Sequence, residues 1–147
     1  MNQTANLTEI IDNFAYLDDW EDRYRYIIEL GKALPSMPAE ACNDQNKVRG
    51  CASQVWLLTQ IARPQGQAPV LTFTGDSDAH IVKGLVALIL AMYSGHSAPE
   101  ILDLDANELF ATLGLAAHLT PQRTNGVRSM VERIKSEARA AMAAQAS

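Results

Sequence analysis

Apolar residues in the first third of the chain recur every three or four positions, the spacing of one helix face. The stretch "LTEIIDNFAYL" predicts a first helix with Thr8 as its N-cap, and "DDWEDRYRYIIELGKAL" predicts a second helix capped by Asp18 or Asp19. The apolar face of the first helix carries Ile10, Ile11 and Phe14. The apolar face of the second carries Trp20, Tyr24, Ile27, Ile28 and Gly31. Two prolines in the following "PSMPAEACND" end the helical pattern and predict a loop.

The pattern then changes to the alternation and the β-branched composition that are typical of strands. Three stretches carry it: "KVR", "QVWLLTQIA" and "PVLTFTG", and in the last of these Leu71 and Phe73 alternate with other residues. The turn-rich "RPQGQAP" predicts a hairpin connection between the second and third stretches. We therefore expect a small antiparallel sheet of three strands. Residues 50–53 would lie at the junction of the first two stretches, at the tip of a hairpin.

The second half of the chain is helical again. The stretch "DSDAHIVKGLVALILAMYSG" is apolar almost all round, which predicts the central buried helix, capped by Asp76, Ser77 or Asp78. The stretch "APEILDLDANELFATLGL" predicts one or two short helices. A last helix is expected from Pro121, and the Ala-rich residues 138–147 are expected to be a frayed helical tail. Its predicted inner face carries Val127, Met130, Val131 and Ile134.

Composition and charge narrow the class of protein. The chain has 147 residues, of which 48% are hydrophobic and 20% charged, as in ordinary globular proteins. We therefore expect one α+β domain over residues 1–147, with a small three-stranded antiparallel sheet covered by several helices. The net charge of -5 argues against a nucleic-acid surface. The start "MNQTANLTEI" lacks a basic region and an apolar stretch, and no segment is apolar and long enough to span a membrane, so we expect a cytoplasmic protein.

The stretch "NKVRGCASQVWLL" contains the residue of greatest chemical interest, Cys51. Its neighbours Gly50, Ala52 and Ser53 are small, so a partner could approach the sulfur closely, and bends often present functional groups. Arg49 is near in sequence and could stabilise the thiolate, the form that reacts. The simpler interpretation is a small buried hydrophobic residue. Local sequence alone leaves both open.

Metal binding and stand-alone catalysis are the two alternatives. A structural zinc site needs four Cys or His ligands, mostly at short paired spacings, and a cluster site usually needs at least three. The chain has two cysteines, Cys42 and Cys51, no CxxC motif, and three distant histidines, His80, His96 and His118. A Cys–His enzyme is possible in principle, because the histidine need only be near in space. An Fe–S or zinc scaffold, a stand-alone thiol enzyme and a disulfide between the two cysteines all stay open.

Four blocks of sequence, in order, point to a known family. They are "DWEDRYRYIIELGKALPSMP", "NKVRGCASQVWLL", "GDSDAHIVKGLVALIL" and "LTPQRTNGV". Together they resemble the SufE family, which includes the CsdE proteins, and the resemblance runs from about Phe14 to about Ile134. The resemblance implies a SufE-like fold and a sulfur acceptor that serves a pyridoxal-phosphate-dependent cysteine desulfurase in iron–sulfur cluster assembly.

The resemblance also implies a role for Cys51, which matches the family's active cysteine. It would take persulfide sulfur from a desulfurase of the SufS or CsdA type, stimulate that enzyme, and deliver the sulfur to an Fe–S scaffold or another acceptor. Pyridoxal phosphate belongs to the partner, so the chain itself is expected to bind no cofactor and no metal. We expect an accessory protein rather than a stand-alone enzyme, with no nucleic-acid or membrane partner, as a monomer or a homodimer.

Several residues are candidates for supporting Cys51 or for docking the partner. They are Arg49, Gly50, Ser53, Asp76, Asp78 and Arg123. The simpler interpretation of the two aspartates is a helix cap, and Arg123 could instead anchor the fold. Cys42 departs from the family pattern and could intercept the persulfide if it reaches Cys51. We also expect the loop that carries Cys51 to be tucked in at rest and to swing out on docking.

Overall fold

The computed structural model describes residues 6–146 and combines helices and two short 3-10 turns with a three-stranded antiparallel sheet, so the predicted α+β class is confirmed. The helices are Leu7–Tyr16 (α1), Trp20–Lys32 (α2), His80–Tyr93 (α3), Ala98–Asp103 (α4), Ala106–Thr112 (α5) and Pro121–Ala146 (α6). The strands are Val55–Ala62 (β1), Val70–Ser77 (β2) and His96–Ser97 (β3), and the 3-10 turns are Ala39–Ala41 and Ala116–His118. Expectations about residues 1–5 and Ser147 lie outside the described residues. No described helix has the length and apolar character needed to cross a membrane.

The sheet differs from the prediction in its third strand. β1 and β2 pair along their whole length as the predicted hairpin. The third strand is β3, which follows α3 and pairs with the start of β2. The stretch "KVR" contributes only an isolated bridge between Lys47 and Trp56. A strand of two residues is too short to produce a periodic sequence signal, so the pattern could not reveal β3.

α3 is the central buried helix, as predicted, with nine of its 14 residues buried. α2 is capped by Asp19 and crosses α3 so closely that the two backbones touch. A Cβ on Gly31 would lie 2.7 Å from the backbone nitrogen of Gly84, and a Cβ on Gly84 would overlap the carbonyl of Ile27. On its other side α3 packs against the inner face of the sheet. The buried residues of that face include Val55, Leu57, Leu71 and Phe73.

Two predicted helix caps are wrong. Asn6, and not Thr8, caps α1, because the helix begins at Leu7 and the Asn6 side chain accepts a backbone hydrogen bond. α3 begins after Ala79 without a side-chain cap bond. Asp76 and Ser77 belong to β2, and Asp78 bonds a loop instead. β2 therefore continues past the apolar residues that predicted it and includes Asp76 and Ser77.

α6 is packed along more of its length than the sequence predicted. Val127, Met130 and Ile134 are buried as expected, and Val131 is half-buried. The helix continues through the Ala-rich tail, where Ala138 and Ala141 are buried and the Arg63 guanidinium donates to the Ala141 carbonyl at 3.2 Å. Ala138 and Ala141 are thus part of the core rather than of a frayed end. Alanine suits either environment, so its presence could not decide between them.

Candidate functional site

The Cys51 loop, residues 49–54, is a tight connection in front of β1. Its base is closed by an antiparallel bond from the Val48 amide to the Val55 carbonyl at 2.8 Å. Gly50 turns the chain with φ +90°, a conformation that side chains disfavour. The loop thus presents Cys51 at a bend that leads directly into a rigid strand.

The thiol of Cys51 is half-buried against the second turn of α6. Its Sγ lies 3.6 Å from the Gly126 carbonyl oxygen, to which the thiol donates a weak hydrogen bond. Gly126 has no side chain, and a Cβ there would lie 3.6 Å from Sγ, at ordinary contact distance. Burial raises the pKa of the Cys51 thiol above its ordinary value. At neutral pH the resting thiol is therefore protonated.

A cleft of about 180 Å³ adjoins the thiol, between the loop, α3 and the start of α6. Its apolar lining is Val82, Leu85 and Met130, and its polar lining includes Ser53, Thr120, Gln122 and Arg123. A water molecule takes about 30 Å³ of liquid volume, so one more sulfur atom on Cys51 can fit beside the thiol. The site can therefore hold a persulfide as well as a thiol.

Asp78 anchors the far end of the Cys51 loop. Its Oδ1 accepts from the Gln54 amide at 3.0 Å, and its Oδ2 accepts from the Gln54 side-chain amide at 3.4 Å. The Asp78 amide in turn donates to the Gln54 carbonyl at 3.3 Å. The predicted cap residue of α3 thus acts on the cysteine loop.

Asp76 belongs to the surroundings of the other cysteine. It forms a largely buried ion pair with Lys83, with 3.3 Å between Nζ and Oδ1. Burial raises the pKa of the Cys42 thiol, and the charge of Asp76 raises it further. Cys42 and Cys51 are both free and half-buried, so the disulfide left open by the sequence is not formed. Of the two predicted carboxylates, one contacts the Cys51 loop and the other influences Cys42.

The two predicted arginines line two different surface pockets. Arg49 is exposed and lines a groove on the outer surface of α6, and burial is the cause of the raised pKa of Cys51. The resting arrangement therefore gives no support to thiolate stabilisation by Arg49. Arg123 is exposed and lines the cleft, and its backbone amide donates to Thr120 Oγ1 at 3.2 Å.

Gly126 and Arg133 are two residues of the site that the sequence did not single out. The Arg133 guanidinium donates to the Lys47 carbonyl at 3.1 Å and to the Gln45 carbonyl at 2.8 Å, and it pairs with Glu137 at 3.0 Å. It thus ties the segment before the loop to α6. A glycine inside a helix costs about 1 kcal/mol relative to alanine, so Gly126 did carry a signal of close approach. Arg133 carried none, because its loop partners are backbone carbonyls.

The described residues form neither a metal site nor a Cys–His pair at the Cys51 cleft. Across residues 6–146, no three His, Cys, Asp or Glu side chains are grouped as metal ligands. The lining of the Cys51 cleft, as far as the structure describes it, includes no histidine that could act as a base.

Known proteins resemble this chain over most of its length. A family model described as "SufE: Fe-S metabolism associated domain" matches residues 8–138. An uncharacterized SufE-like protein of Rhizobium meliloti (strain 1021) is 59% identical over 134 residues, which cover 91% of this chain and 95% of that protein. A second, from Rhizobium etli, is 58% identical over 140 residues, or 95% and 94% of the two chains. The solution structure of a hypothetical protein from Thermus thermophilus shares the fold, with a TM-score of 0.69 at 22% identity over 93% of this chain and 96% of that one.

Proposed function

The chain belongs to the SufE family, and on that premise we propose that it carries sulfur as a persulfide on Cys51, taken from a pyridoxal-phosphate-dependent cysteine desulfurase. Membership, as the sequence resemblance indicated, associates the chain with sulfur transfer in Fe–S metabolism. One observation carries the finer proposal. The Cys51 thiol is half-buried at a loop tip, beside a cleft with room for one more sulfur atom.

The proposed transfer is an exchange at sulfur. The Cys51 thiolate attacks the terminal sulfur of the donor's persulfide, a new S–S bond forms, and the donor's own S–S bond breaks. The donor cysteine leaves as a thiolate, and the terminal sulfur keeps its proton as it moves to Cys51. One S–S bond replaces another, so the step needs no oxidant or reductant. Pyridoxal phosphate stays with the donor, and this chain supplies only the thiol.

The resting site suits protection of the sulfur better than attack. A protonated, half-buried thiol is a poor nucleophile, so docking has to expose or deprotonate it. The loop is held by polar anchors, Asp78 at one end and Arg133 at the other. Releasing it breaks these hydrogen bonds and the partial packing of Cys51 against the core, which costs less than unpacking a fully buried segment. We expect the loop to swing outward on the donor and to return with its sulfur.

In the same proposal, removal of sulfur from the donor stimulates the desulfurase by clearing its product. The carrier then passes its outer sulfur to a thiol of an Fe–S scaffold or of another acceptor by a second exchange of the same kind. Enclosure in the cleft between the two steps keeps the persulfide from stray thiols and oxidants.

Transfer of labelled sulfur tests the proposal. The unaltered protein, Cys51→Ser and Cys42→Ser are each incubated with a cysteine desulfurase and ³⁵S-cysteine, then separated without reductant. We expect label on the unaltered protein and on Cys42→Ser, and background label on Cys51→Ser. Label that persists on Cys51→Ser would refute the proposal.

Hydrogen exchange tests the loop movement separately. Amides of residues 49–53 should exchange faster when the desulfurase is present, while amides of α3 should not change. Unchanged protection of the loop, together with labelled Cys51, would show that transfer occurs without the swing.

A further inference from the structure

Cations without a partner are concentrated in two segments of the chain. The chain has 12 Lys and Arg residues against 17 Asp and Glu. Within residues 6–146, five of these cationic side chains have no carboxylate, carbonyl or aromatic partner: Lys47, Arg49, Arg123, Arg128 and Arg139. All five lie in the segment that enters the Cys51 loop or in α6.

The loop runs along α6, which brings these two segments together. A Cβ on Gly50 would lie 2.5 Å from Ser129 Oγ, and Arg133 bonds the Lys47 carbonyl. As a result Arg49 joins Arg133 and Arg139 along a shallow surface groove of about 460 Å³. We call this the arginine groove.

The arginine groove has a positive balance of charge. Its three arginines face one lining carboxylate, Glu132, while Glu137 pairs with Arg133. On the other side of the loop, Arg123 lines the Cys51 cleft. Arginines therefore line both the Cys51 cleft and the groove, although the chain as a whole carries a net charge of -5. Such a separation of charge orients an approaching partner.

We propose that the arginine groove docks a carboxylate-rich segment of the sulfur donor, an inference that rests on the function proposed above. From Gly126 to Arg139, α6 rises by roughly 20 Å at 1.5 Å per residue. That length suits several turns of a helix or an extended segment, and exceeds what one small anion can cover. A segment seated there brings the donor's reactive sulfur to the Cys51 end of the groove. Complementary charge at an interface mainly increases the association rate and fixes orientation.

Charge reversal in the groove tests the docking. Labelled-sulfur transfer from the desulfurase is measured against carrier concentration for the unaltered protein and for the double variant Arg49→Glu, Arg139→Glu. We expect the carrier concentration at half-maximal rate to rise about tenfold or more, with the saturated rate within about threefold and a weaker dependence on salt. The double variant Arg49→Lys, Arg139→Lys keeps the charge and should stay close to the unaltered protein.

Arg25→Glu is the matched control, made as a double variant with Lys32→Glu. Both residues are exposed on α2, outside the groove and the cleft, and the double variant gives the same change of charge. It should leave the half-maximal concentration within about twofold, because interactions between exposed charges fade over a Debye length.

The outcomes separate the two proposals. Label on Cys51 with an unchanged half-maximal concentration in the reversed variant overturns the docking and leaves the carrier role. Failure of the unaltered protein to take label overturns both. If the reversal instead removes binding to phosphatidylserine vesicles or duplex DNA and leaves transfer unchanged, the surface serves another polyanion and the docking is overturned.

Discussion

Cys51 and Cys42 are both half-buried free thiols whose pKa is raised by burial, yet their surroundings differ. Cys51 lies at a loop tip against α6, with a carbonyl acceptor at Gly126 and a cleft beside it. Cys42 directly follows a 3-10 turn, and its charged neighbour is Asp76, whose negative charge raises the pKa further.

Because both shifts have the same direction, pKa alone does not distinguish the proposed sulfur carrier from the other thiol. The two thiols differ in the free space beside the sulfur and in how readily the segment that carries them can open. Cys51 has room for a second sulfur and a loop that hydrogen bonds hold in place. Cys42 lies near a fixed negative charge, which disfavours both its own thiolate and an incoming anionic persulfide. We therefore expect Cys42 to be a poor competitor for the sulfur.

Filling the space beside Cys51 should have the largest effect on this comparison. In Gly126→Leu the Cβ already stands at 3.6 Å from Sγ, so the remaining carbons must displace the thiol or fill the cleft, at a cost of about 1–3 kcal/mol. Sulfur loading from the desulfurase should fall about tenfold or more, which is how much 1.4 kcal/mol changes an equilibrium.

Gly126→Ala is the control for that substitution. Its Cβ is at ordinary contact distance from Sγ, and alanine favours a helix by about 1 kcal/mol over glycine, so loading should persist and urea unfolding should need more denaturant. Normal loading of the leucine variant, with a native circular-dichroism spectrum, would contradict the assigned role of the cleft.

Releasing one loop anchor should have an intermediate effect that is confined to Cys51. Asp78→Ala removes the acceptor of two Gln54 hydrogen bonds. At about 1 kcal/mol net per bond, opening of the loop should become roughly fivefold more frequent or more. Alkylation of Cys51 by iodoacetamide, followed by mass spectrometry, should accelerate accordingly, while Cys42 keeps its rate.

Asp78→Asn keeps an acceptor oxygen and should fall between the alanine variant and the unaltered protein. Equal acceleration at both cysteines would indicate general destabilisation and would contradict the anchor. An unchanged Cys51 rate would show that these bonds do not limit opening.

Neutralising the charge near Cys42 should have the smallest effect, and this effect should be on Cys42 rather than on Cys51. A nearby negative charge opposes ionisation, so Asp76→Asn should lower the pKa of Cys42 and move its alkylation–pH curve to lower pH. At neutral pH its rate should rise about twofold to threefold, because the thiolate is the reacting species. Cys51, whose pKa is raised by burial, should keep its curve.

Asp44→Asn, two residues from Cys42, is the control, because that carboxylate does not contribute to the shift. If both aspartate substitutions accelerate Cys42 equally, the specific influence of Asp76 is wrong.

The sequence predicted the class of fold and the position of the thiol because both depend on local signals. The spacing of apolar residues identified the buried α3 and the inner face of α6, and the turn-rich connection identified the β1–β2 hairpin. Small residues around Cys51 indicated a bend, and the structure has one. The ordered blocks identified the family, which the comparisons confirm.

Tertiary structure alone decided what surrounds the thiol. Asp78 and Gln54 are 24 positions apart, and Arg133 and Gln45 are 88 apart. Periodicity indicates which face of an element is buried, but it does not say which polar group meets which, because that depends on how the elements cross. The stretch "KVR" forms only one bridge, and β3 is too short to give a periodic signal, so the pattern could not identify the third strand. The cleft beside Cys51 and the arginine groove exist only where the loop meets α6.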